Sequence, residues 1–243
     1  MTRLCTFPAA FAGHAIAALL VAASAQAEPA RWPEPPTPAG VRLFMIAEHM
    51  TLNGLPMRLG GFVSGGSPAE LTAQFRRSLG EPLVETQLGS QTILGRAEGR
   101  FYVSVHIKPH AAGAQGTVAV SDLQAAHETR EASHRDRERW LGRLPASSSL
   151  LSLARATDGP KRSLHLVFAN RHDEETNARH LRELLREEGL RPDAEHRTEL
   201  AGPDRAYFFS GSGKEAVATV TRKSDGSTNT VLSLVSTGAG VER

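Results

Sequence analysis

The chain has 243 residues, 40% hydrophobic and 22% charged, with 28 Lys and Arg against 26 Asp and Glu. This is the balance of an ordinary soluble globule and excludes wholesale disorder. The single cysteine, Cys5, lies near the start and leaves the rest of the chain without disulfides, thiolate catalysis, iron–sulfur clusters or cysteine-based zinc sites. The pI near 9.0 reflects arginine rather than a large charge at neutral pH. No basic stripe interleaved with aromatics is present, so nucleic acid is not an expected partner.

Residues 1–27 read as a cleavable secretory signal peptide. Arg3 supplies the positive start, Ala15 to Ala23 the apolar stretch, and Ala25-Gln26-Ala27 a small-x-small cleavage site. The apolar run is too short to span a bilayer of about 30 Å, and no later segment approaches that length. Cleavage after Ala27 would place the product in the periplasm or outside the cell, with no membrane insertion. Kinase and dehydrogenase chemistry is disfavoured there, and no cofactor is expected. Residues 28–40 form a proline-rich spacer, expected to be extended and mobile, with the ordered body starting near Val41.

From Val41 the chain reads as one module written twice. Phe62 to Leu79 aligns without gaps on Phe168 to Leu185, an offset of 106 residues. The alignment pairs Ser67 with Asp173, both suited to cap a helix, and Phe75 with Leu181. Ser67-Pro68-Ala69-Glu70 is a capping box with proline in the first turn. Runs over 42–50 and 55–63 flank Asn53-Gly54, a hairpin signal, and 150–156 and 162–169 flank Asp158-Gly159-Pro160. Gly60-Gly61 marks a candidate bulge in the first copy.

Strand-like segments at 91–96, 101–108 and 117–123 have counterparts at 206–210, 215–222 and 230–236. Phe101, Val103, Val105 and Ile107 alternate with polar residues, as a half-buried strand requires. The expected fold is α+β: two tandem β-β-α-β-β-β repeats, each one helix on an antiparallel sheet, sharing an interface as a pseudo-dimer. The first repeat covers 41–123 and the second 149–237, with a tail at 238–243. Between them, 124–148 is a highly charged connecting segment expected to be a solvated helix with Trp140 and Leu141 as its apolar foot, the alternative being a disordered charged linker.

Candidate sites are few. His127, Glu131 and His134 would share one helix face, a spacing that can bind Zn²⁺ or Cu²⁺ but lacks the order of a metalloprotease helix. His106 and His110 straddle a strand end and read as surface histidines. Gly211-Ser212-Gly213-Lys214 fails as a phosphate loop because Glu215 stands where Ser or Thr is needed. Ser64 has the wrong glycine spacing for a nucleophile elbow. Tyr207, Phe208 and Phe209 form the most aromatic stretch. They are expected either to be covered by the other repeat or to give Phe208 to a partner-binding patch.

The reading that follows is a non-enzymatic exported bacterial protein, a protein-binding accessory or scaffold of the envelope or a secretion system. It would work through strand addition or the groove between repeats. The alternative is a periplasmic carrier of a small molecule or metal in that groove.

Overall fold

The computed structural model describes residues 31–35, 37–193 and 205–238; the expected signal peptide and most of the C-terminal tail lie outside them. Local signals build the first half. β1 (Leu43–Leu52) and β2 (Leu55–Ser64) form a hairpin. Its turn residues Asn53 and Gly54 sit at φ 51° and 83°, the left-handed pair that a two-residue turn needs. In α1 (Pro68–Leu79) the Glu70 N–H donates to the Ser67 hydroxyl at 3.3 Å, and the Ser67 N–H donates to the Glu70 carboxylate at 2.8 Å. These reciprocal bonds satisfy two donors that a helix start leaves over. The Ser67 N–H also holds the Glu70 carboxyl below its usual range.

β3 (Val84–Leu88), β4 (Gln91–Glu98), β5 (Phe101–His110) and β6 (Gly113–Asp122) follow. The second half has β7 (Ser149–Asp158) and β8 (Lys161–Asn170), then α4 (Glu174–Glu187), capped by Asp173, whose carboxylate accepts from the Thr176 N–H at 2.6 Å. β9 (Arg191–Pro192), β10 (Arg205–Gly211), β11 (Lys214–Arg222) and β12 (Thr228–Thr237) complete it.

The protein is α+β, with one antiparallel sheet of 12 strands in the order β3-β4-β5-β6-β2-β1-β7-β8-β12-β11-β10-β9. Among the described residues four strands, not the expected three, follow each of α1 and α4. The extra ones are β3, in which every residue is exposed, and β9, which has two residues. Neither carries the buried-exposed alternation by which a strand shows itself in sequence.

The helices pack on one face, over two separate cores. Leu71, Phe75 and Leu79 of α1 bury against Phe62, Leu94 and the inward residues of β5 and β6, with the Phe62 and Phe75 rings 5.2 Å apart. Leu181, Leu184 and Leu185 of α4 bury against Leu164, Leu166, Phe168, Val220 and Leu232. Burying each such side chain contributes about 1.5–3 kcal/mol, so each half carries its own stabilising core.

Three further expectations change. Trp32 packs against the first core, 5.2 Å from the Phe101 ring with the Arg58 guanidinium 5.1 Å over it. Trp32 of the proline-rich stretch therefore belongs to the first core: aromatic burial outweighs the extended bias of the neighbouring prolines. The connecting segment is two helices, α2 (Leu123–Glu128) and α3 (Arg130–Leu141), broken at Thr129. The Thr129 N–H and hydroxyl both donate to the Ala125 carbonyl, at 3.0 and 2.8 Å, two hydrogen bonds to one acceptor of the kind that bends a helix. Trp140 and Leu144 enter the second core rather than forming a small surface foot. Finally, the register shifts near Gly60-Gly61 place the extra residues in β1, around Ile46 and beyond Ala47, not in β2.

Candidate functional site

The two halves meet where β1 pairs β7, over only His49–Leu52 and Ala154–Thr157. The β1–β2 turn extends the join. The Asn53 N–H donates to the Leu153 carbonyl at 2.8 Å, and the Leu153 N–H donates to the Asn53 side-chain oxygen at 2.9 Å. A Cβ on Gly54 would stand 2.5 Å from that of Ser133, so the turn lies directly on α3. Between this turn, β7 and the connecting helices opens a cleft of about 470 Å³, lined among others by Arg130, His134, Asp136, Arg137 and Arg155.

Most charges in the cleft already have structural partners. Arg155 grips Asp136 through two guanidinium nitrogens at 2.9–3.1 Å, and Arg139 lies 3.5 Å from the same carboxylate. Arg137 donates to the Leu150 carbonyl. Arg143 and Arg155 stack on Trp140, at 4.9 Å and 5.9 Å from its ring. Arg130 and His134, both exposed, also line the cleft, and the Arg155–Asp136 pair fixes its wall.

The residues singled out in the sequence fall as follows. His127 stands on α2 while Glu131 and His134 stand on α3, with the Thr129 break between them. Glu131 faces Arg135 at 3.7 Å. Among the described residues no group of three His, Cys, Asp or Glu is placed to hold a metal ion. Phe209 is buried in the second core, and Tyr207 packs on that core with Arg182 5.6 Å over its ring. Their cover comes from within their own half rather than from the other. Phe208 is half-buried and pairs with Val217 on the opposite face.

His106 is half-buried, and burial pushes its pKa down; Gln91 Nε2 lies 3.0 Å from its Nδ1. Lys214, after the Gly211–Gly213 turn, bonds the Glu188 carbonyl and carboxylate, each at 3.0 Å. It anchors the C-terminal end of α4, where a cation is favoured. With Arg143, it holds the Glu188 carboxyl below its usual range, the Lys214 bond contributing most.

A second surface escaped sequence reasoning. β7 covers only the C-terminal part of β1, and the described residues place no strand on the same edge of 43–48. There Phe44, Met45 and Ile46 are 53%, 62% and 51% exposed, with Val63 of β2 at 50%. Phe44 and Ile46 lie over Gly61, where a Cβ would stand 2.5 Å from the Phe44 ring and 3.0 Å from Ile46 Cδ1. The available signal was the unbroken apolar run Leu43 to Ala47, which lacks the alternation of a one-faced strand.

Against known protein families, curated proteins and solved structures the chain finds no match. Among the described residues no helix is long and apolar enough to cross a membrane.

Proposed function

We propose that this is a non-enzymatic, exported accessory or scaffold protein of a bacterial envelope or secretion system, and that it works by binding another protein. The apolar surface at the free part of β1 carries this reading. Grouped exposed side chains of this size mark interaction sites on soluble proteins, and an unpaired strand edge beside them offers backbone bonds to a partner. Support for export comes from the n-region, apolar stretch and cleavage site of residues 1–27.

The same reading takes the chain as a tandem duplication folded into a pseudo-dimer. Its support is the ungapped 106-residue offset and the strand order, which meets corresponding elements outward from the β1–β7 seam on both sides. An antiparallel seam is also what a pseudo-twofold demands.

The test is a photoreactive residue at Met45 in the exported protein, irradiated in its native envelope and analysed by mass spectrometry. The expected result is one dominant adduct with an envelope protein, absent when the photoreactive residue replaces Glu131 instead. No adduct from Met45, or equal adducts from both positions, would overturn the reading.

A second reading, a periplasmic carrier, rests on the seam cleft, whose volume of about 470 Å³ falls within the range of small-molecule sites. Native mass spectrometry and metal analysis of protein purified without a histidine tag decide it. A stoichiometric ligand or metal supports the carrier, and a bare chain removes it.

A further inference from the structure

We infer that β3 is a self-pairing edge, through which two copies of this chain join antiparallel across residues 84–88. The inference is independent of the partner reading above, which concerns β1. Soluble proteins blunt sheet edges with short strands, proline, lysine or bulges. The other end of this sheet is so treated: β9 has two residues, one of them Pro192. β3 has five residues in unbroken register with β4, from Val84 opposite Gly95 to Leu88 opposite Gln91, and contains no proline, lysine or bulge.

Its carboxylate and amide side chains are occupied. Glu85, the one charge in the strand, is neutralised by Arg76 of α1 at 2.6 Å and 3.2 Å. The Gln87 side-chain oxygen accepts from the Thr92 hydroxyl at 2.9 Å. The alternation of a strand puts Val84, Thr86 and Leu88 on the face away from Glu85 and Gln87. Val84 and Leu88 are 60% and 65% exposed.

This edge is its own complement. In an antiparallel pairing centred on Thr86, each Val84 faces Leu88 of the second copy, Thr86 faces Thr86, and Glu85 faces the neutral amide of Gln87. Apolar and threonine pairs across strands are favourable, and no like charges oppose each other. The arrangement is isologous and closes at two copies. The chain already uses such a join internally: the β1–β7 seam has four residue pairs, extended by the Asn53–Leu153 bonds, where β3 offers five. One added strand pair buries less than the roughly 1,200 Å² of a stable complex, so the dimer is weak and concentration-dependent.

Sedimentation equilibrium of the full chain from micromolar to millimolar concentration tests this. Wild type is expected to pass from monomer to dimer. Thr86→Lys and Thr86→Glu, each checked for fold by circular dichroism, should stay monomeric alone, and their equimolar mixture should recover the dimer. Wild type that stays monomeric at the highest concentration overturns the inference. So does a dimer that both variants leave intact, or a mixture of folded variants that fails to associate.

Discussion

Asn53 joins the two halves of the sheet, and its replacement by alanine has a cost that can be worked from its surroundings. The residue sits at φ 51°, where alanine is disfavoured by about 1 kcal/mol or more. Its side-chain oxygen accepts the part-buried Leu153 N–H at 2.9 Å, and leaving that donor without its acceptor costs about 1–3 kcal/mol. Asn53→Ala should therefore destabilise by about 2–4 kcal/mol, lowering the thermal midpoint by about 4–16 °C for a protein of this size. Asn53→Gly separates the two contributions. Glycine tolerates the turn, so only the hydrogen-bond loss, about 1–3 kcal/mol, should remain. Urea unfolding of the three proteins measures both values. A loss below about 0.5 kcal/mol for Asn53→Ala would refute the reasoning, because no relaxation of an intact seam could then be hiding a bond of consequence.

Other outcomes follow from the two cores and their charged edges. Phe75→Ala and Leu181→Ala each empty a fully buried position and should cost about 3–5 and 2–5 kcal/mol. Calorimetry should still show one transition for each variant, because the sheet is continuous from β3 to β9. Acid should destabilise the protein in two stages. His106, whose pKa is pushed below 6.5 by burial, favours the folded state when neutral, so its contribution fades as the pH falls below about 6.5. Glu188, held below 4.5 chiefly by the Lys214 bond, contributes above that pH and loses its contribution as the pH falls through its lowered value. Urea midpoints across pH 3–8 should show both limbs, and Glu188→Gln should flatten the lower one at a cost of under about 1 kcal/mol at pH 7.

Local chemistry was legible in the sequence. The Asn53-Gly54 turn, the Ser67–Glu70 box and the Asp173 cap each depend on residues within four positions, so the signal and the structure that it specifies sit together. The Leu71-Phe75-Leu79 stripe needed only one apolar face to bury against. What escaped was set by distant contacts. The β1–β7 seam joins residues about a hundred positions apart, and four residue pairs leave no composition signal. Trp32 is held by Phe101 and Arg58, and neither is announced by the prolines around it. β3 hides because an edge strand exposed on both faces has no periodicity to read. The candidate metal face on 127–134 assumed an unbroken helix, whereas His127 stands on α2 and Glu131 and His134 stand on α3. The exposed apolar group on β1 is visible as composition, but its exposure depends on β7 ending at Asp158.

The 12-strand sheet is continuous across a short seam, and the proposed pseudo-dimer requires each half to depend on the other. A fragment of residues 31–128 retains Trp32, the first core and α2, and lacks every strand beyond the seam. A module of about 100 residues buries only about 60–65% of its unfolded surface, and this one would also expose the whole outer edge of β1. The measurement is the urea unfolding midpoint of the fragment beside that of the full chain. A clearly lower midpoint, or loss of cooperative unfolding, is the predicted result. A fragment as stable as the whole would show two self-sufficient domains that happen to touch, and would contradict the shared seam.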